Sequence, residues 1–145
     1  MADRHKRLDS NVAGNFYVDS TCINCDTCRQ LAPKSFEEIG EFSAVAHQPE
    51  RDEHVHQAYQ ALLACPVGSI GTEQSDKTTL QAAMASFPLH LEDGVSYCGF
   101  NSEKSFGANS FLSSMRTVIG SSIPPATSNI WSNSLNGEAV SRTSF

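Results

Sequence analysis

The apolar positions of this chain fall into short groups separated by turn-forming residues, and each group has its own period. Asn15-Phe16-Tyr17-Val18 is a compact β-prone run that ends on the turn signal Asp19-Ser20. Arg29-Gln30-Leu31 can begin a helix, but Ala32-Pro33 stops it, because a residue before proline is driven out of the helical region. Between Phe36 and Val45 two short apolar pieces flank Gly40, which predicts a small hairpin or turn. The longest periodic stretch runs from Pro49 to Ala64. There Val55, Ala58, Tyr59, Leu62 and Leu63 recur at three- and four-residue spacing, so a helix with one buried face is predicted, opened by Pro49 and by acids in its first turn. It ends at Cys65-Pro66, after which Gly68 to Thr72 returns as a short strand beside Phe16-Tyr17-Val18. A shorter helix is predicted from Lys77 to Ser86, closed by Pro88, with two strand-like pieces around Val95 to Gly99 and from Phe106 to Leu112. From Ser113 onward neither the helix period nor the strand period survives.

Composition refines this picture. Hydrophobic residues make up 39% and charged residues 18% of the 145. Both are low for a compact chain, with Ser, Thr and Asn filling the difference, which suits one small domain plus a segment too short to complete a second. No apolar run approaches a membrane span, and Met1 to Asn15 lacks the apolar centre of a signal peptide, so a cytoplasmic protein without membrane contact is expected. Net charge is -6. Between Asp9 and Thr72 nine acidic residues face three basic ones, Arg29, Lys34 and Arg51. Such a surface repels nucleic acid and anionic lipid and steers partner proteins that carry a basic docking surface. The basic start Arg4-His5-Lys6-Arg7 reads as part of a flexible terminus covering 1–14.

Five cysteines in an unexported chain are not expected to form disulfides. Cys22, Cys25 and Cys28 form a C-x2-C-x2-C run, Cys65 follows after a long gap and is backed by Pro66, and Cys98 stands alone. Three thiolates crowded in one loop match three corners of an iron-sulfur cube, and a remote cysteine closes the fourth. A structural zinc site also uses four cysteines, but usually as two separated C-x2-C pairs, whereas this chain has a triplet and a singleton. One 4Fe-4S cluster on Cys22, Cys25, Cys28 and Cys65 is therefore expected. Cys98 is read as an ordinary half-buried thiol in a strand.

Phe16 to Thr72 resembles a bacterial-type 4Fe-4S ferredoxin: a strand, the C-x2-C-x2-C loop, Pro33, the aromatic Phe36, a helix, and then Cys65-Pro66-Val67-Gly68-Ser69-Ile70. Two-cluster members of that family carry a further cysteine where this chain has Ala32, and the second triplet is missing here, so the resemblance implies a single cluster. It also implies an α+β, ferredoxin-like module over 15–73 and the work of a low-potential one-electron carrier. Backbone N–H groups of Ile23, Asn24, Asp26 and Thr27 are candidate donors to the sulfurs, Ile23 is expected to shield the cluster, and the Asp26 charge to lower its potential.

No other chemistry competes strongly. His54 and His56 lie two apart on the predicted helix and face different directions, His5, His47 and His90 are isolated, and no catalytic motif occurs, so no enzyme activity is expected. Residues 74–112 read as a linker helix followed by strands. From Val95 to Phe111 they are similar to the opening of a metallo-β-lactamase-fold domain, which follows such a ferredoxin in a family of cyanobacteria and photosynthetic eukaryotes. The rest of that fold and its histidine-rich metal motif are missing. In their place stands 113–145, with nine Ser and only Arg116, Glu138 and Arg142 charged, a composition expected to be disordered. A shifted reading frame from Met115 would explain it, since permitted codons can encode a further strand, helix and strand of the hydrolase; a natural disordered tail is the alternative. The alternative role is then a redox or structural module of a hydrolase fusion, without hydrolase activity in this chain.

Overall fold

A computed structural model of the chain describes residues 2–101, 104 and 108–114. Helices and strands are mixed. After a 3-10 turn at Arg4–Lys6 come β1 (Phe16–Val18), α1 (Thr27–Leu31), β2 (Phe36–Ile39), β3 (Phe42–Val45), α2 (Asp52–Ala64) and β4 (Ile70–Thr72), followed by α3 (Lys77–Ala85), β5 (Leu89–His90), β6 (Val95–Asn101) and β7 (Asn109–Ser113). β1 pairs antiparallel with β4, placing Tyr17 opposite Gly71 and Val18 opposite Ile70. β2 and β3 form a hairpin with Phe36 opposite Val45. Its two-residue turn needs a positive φ, and Gly40 supplies it at +67°. β5, β6 and β7 form a separate antiparallel sheet in that order.

The core is gathered around α2. Ala58, Tyr59, Ala61 and Ala64 are buried. Three of these four are alanines, so the helix backbone can approach α1 and α3 closely while Tyr59 fills the remaining space. The Tyr59 ring meets Phe16 edge-on at 5.1 Å, and its hydroxyl oxygen accepts the backbone N–H of Asp76 at 2.7 Å, tying α2 to the start of α3. Helix α2 begins at Asp52 rather than Pro49, with Arg51 still extended. The Gln48 side chain explains the delay: its Oε1 accepts Phe16 N–H at 3.0 Å and its Nε2 donates to Phe16 O at 2.8 Å, so the chain at 48 is held alongside β1 like a strand partner. At the other end Cys65 leaves the helix with φ -66° and ψ 115°, as the following Pro66 requires.

The segment 1–14, expected to be flexible, is tied down along much of its length. Arg4 and Arg7 pair with Glu73 at 3.3 and 3.4 Å, Leu8 N–H donates to Val18 O at 3.0 Å, and Leu8 packs on the core. Asn11 does more. Its Oδ1 accepts the N–H of both Val18 and Val45 at 3.0 Å, while its Nδ2 donates to Leu8 O at 2.7 Å and Val18 O at 2.8 Å. One amide thus stands between β1 and β3 and satisfies backbone groups that neither strand offers the other.

The described residues of 74–112 pack on this module. Helix α3 lies against α2 with Ala83 fully buried, Gln60 Nε2 donates to Ser86 Oγ at 2.8 Å, and one compact unit spans Met1–Ser114. The expected strands appear as β6 and β7; the two-residue β5 is an addition. Of the tail expected at 113–145, and of its reading-frame explanation, residues 115–145 lie outside the described residues.

Candidate metal centre

The loop carrying the first three cysteines leaves β1 through Asp19, which is buried although acidic. Burial alone would raise its pKa. The Thr21 hydroxyl and the backbone N–H groups of Asp3 and Thr21 outweigh that and hold the carboxyl below the usual range. This carboxylate fixes the entry to the loop. Asn24 and Asp26 then adopt the left-handed conformation, with φ of +52° and +68°, which lets the chain curl tightly between cysteines before α1 begins at Thr27. Cys28 lies in the first turn of α1, and Cys65 comes from a separate segment, the link between α2 and β4.

All four of these cysteines line one small shared cavity. Val18, Ile23, Val67 and Ile70 supply its apolar wall, and the buried hydroxyls of Thr27, Ser43 and Ser69 complete it. Among the described residues no three His, Cys, Asp or Glu side chains are placed to hold a single metal ion. A cluster makes a different demand: each thiolate takes its own iron, so the sulfurs must ring a space instead of meeting at one point. The donor set fits that demand. Burial pushes the Cys28 thiol up to about 11; a hydrogen bond with Ser43 works against this, and the neighbouring Cys22, Cys65 and Cys25 sulfurs add to the rise. Thiolates crowded in this way repel one another, and a cationic iron core is the kind of group that would hold them together.

Three of the sulfurs also have a hydrogen-bonding neighbour. Asn24 N–H donates to Cys22 Sγ at 3.4 Å, Thr27 Oγ1 lies 3.6 Å from Cys25 Sγ, and Ser69 Oγ lies 3.4 Å from Cys65 Sγ, while the Ser43 hydroxyl donates to Asn24 Oδ1 at 3.4 Å. The sequence singled out Asn24 and Thr27 as backbone donors. It did not point to Ser43 or Ser69, whose partners are set by the fold.

Asp26 differs from its expected role. It carries a charge, but Arg29 Nε lies 2.5 Å from its Oδ1 and Gln30 Nε2 donates to its Oδ2 at 2.9 Å. Those two bonds hold its pKa below the usual carboxylate range. Arg29 Nη1 lies 2.9 Å from Glu38 Oε2, an ion pair without hydrogen-bond alignment, and Asn24 Nδ2 donates to Glu38 Oε1 at 3.1 Å. The cysteine loop is thereby fastened to the β2–β3 hairpin, and the Asp26 charge is largely balanced by Arg29. Ile23, expected to shield the site, lines the cavity and is 45% exposed.

The remaining candidates lie elsewhere. Cys98 is half-buried in β6. His54 and His56 are half-buried on α2, His47 is exposed 3.9 Å from Glu37, and His90 Nδ1 meets Ser96 Oγ at 2.9 Å in the β5–β6 pair. No helix among the described residues is long and apolar enough to cross a membrane.

Residues 18–72 match the family described as the 4Fe-4S single cluster domain of Ferredoxin I, a span that takes in Cys22, Cys25, Cys28 and Cys65 and ends with β4. No curated protein and no solved structure matches the chain.

Proposed function

We propose that this chain is a one-electron carrier holding a single 4Fe-4S cluster on Cys22, Cys25, Cys28 and Cys65. The observation that carries the reading is the gathering of these four cysteines, from a loop, a helix and an inter-element link, around one cavity within the span matched by the ferredoxin family. One-electron transfer is the chemistry such a cluster supplies when bound. The chain's own part is to grip, to exclude water with Val18, Ile70 and Val67, and to donate hydrogen bonds to the sulfurs. A low potential is expected from the acidic surroundings, with the contribution of Asp26 muted by Arg29.

Docking follows from the same surface. Ile23 is exposed at the cavity, and the adjoining β2–β3 hairpin carries Glu37 and Glu41 outward. A redox partner with a basic patch around an apolar centre suits this face, and the chain itself needs no catalytic group.

Anaerobic purification tests the proposal. About four irons and four sulfides per chain, with a broad visible absorption that bleaches on reduction and a paramagnetic signal in the reduced state, are expected. A colourless protein that binds one zinc would overturn it and leave the loop as a purely structural site. A second reading, a redox or structural module fused to a metallo-β-lactamase-fold hydrolase, draws on β5–β7, where Leu91, Phe111 and Leu112 are each more than half exposed as an apolar surface. It predicts that this chain alone cleaves no ester or thioester substrate.

A further inference from the structure

Thr27 and Ser69 are at most 3% exposed, and both hydroxyls lie beside cysteine sulfurs around one cavity. Buried hydroxyls need partners. Here Cys25 lies 3.6 Å from Thr27 Oγ1 and Cys65 lies 3.4 Å from Ser69 Oγ. A cysteine ligated to iron is a thiolate and has no hydrogen to give, so in each pair the hydroxyl must be the donor.

Thr27 has a further neighbour. Its Oγ1 lies 3.4 Å from Asn109 Oδ1 on β7. A half-turn of that amide presents NH2 in place of oxygen, which leaves the Thr27 hydrogen for Cys25. The distant sheet thus reaches the metal centre through one side chain.

We propose that Thr27 and Ser69 donate hydrogen bonds to the cluster's cysteine ligands and raise its reduction potential, with Asn109 orienting Thr27. The inference rests on the electron-carrier reading above. Reduction adds one electron from an external low-potential donor and makes or breaks no bond. The reduced site carries one more negative charge, so a donor to sulfur stabilises it more than the oxidised site.

The test is a redox titration of the full chain with dithionite and viologen mediators. At the potential where wild type is half reduced, Thr27→Val and Ser69→Ala should each lower the reduced-to-oxidised ratio about threefold to tenfold, the range expected for loss of one hydrogen bond. For one electron that is a fall of about 30 to 60 mV. Thr27→Ser should keep the wild-type potential, and Asn109→Ala should move it part of the way towards Thr27→Val. Iron–thiolate Raman bands of wild type should shift in D2O, a readout that needs no variant to fold. Unmoved potentials in variants with wild-type iron and sulfide content, or no isotope shift in wild type, would overturn the proposal while leaving the carrier reading intact. A wild-type chain that takes up no cluster overturns both.

Discussion

In the proposed site Cys28 and Cys65 are ligands from two separate segments, whereas Cys98 sits in β6 away from the cavity lining. Iron content should separate them. Cys65→Ala is expected to fall below the about four irons of wild type, since one corner loses its only protein ligand; Cys98→Ala should keep full iron and an unchanged visible spectrum. A second residue-scale test concerns Asn11, whose amide oxygen serves two buried N–H groups, Val18 and Val45. Asn11→Ala leaves both without a partner in the core, and should cost about 2–4 kcal/mol in urea unfolding. A loss below about 0.5 kcal/mol would mean that water reaches those strands. Neither role of Asn11 is visible in the sequence. An asparagine in a charged, aperiodic lead-in reads as loop, and its bonding partners in β3 are long-range in the chain.

At the scale of elements, helix α2 was readable because its apolar spacing is regular and Pro66 marks its end. The β1–β4 pairing was readable for a related reason: two short apolar strands flank the cysteine motif on either side. Strand β5 was not, because two residues cannot display alternation. The start of α2 was misplaced by three residues, since Gln48 bonds to Phe16 across the fold and no local signal reports it. Helix α3 offers the pH test. Asp76 caps it, and the Thr79 hydroxyl, followed by the N–H groups of Thr79 and Thr78, holds the carboxyl below its ordinary 3.8. A depressed folded pKa gives stability that is fully present above the unfolded value and lost as pH falls through the folded one. The difference in urea midpoint between wild type and Asp76→Ala should therefore stay constant between about pH 5 and 8 and shrink below 3.8. A gap that widens in acid would show that the cap acts through its neutral form.

For the whole molecule, the grouping of the four cysteines was more legible than their surroundings, because motif spacing is local while the polar ties are not. The hairpin, both longer helices and the four-cysteine set could be written down from residue order. The ordering of 2–14, the Arg29 tie to Glu38, and the hydroxyls of Ser43 and Ser69 arise only when distant segments meet. Residues 74–112 show the same limit. They read as a separate linker and remnant, yet α3 packs on α2, and Asn109 reaches Thr27 beside the cysteines.

The distance along the chain between Cys65 and the other three cysteines of the cavity also bears on how long the protein lasts. A filled site cross-links Cys28 to Cys65 through inorganic atoms, closing the stretch between them into a ring and removing much of the freedom of its unfolded form. Stripping the iron with a chelator should open that ring, and limited proteolysis should then cut near Gly40 faster than in the loaded protein. If it does, cellular abundance would rise and fall with iron supply through turnover alone, with no change in synthesis.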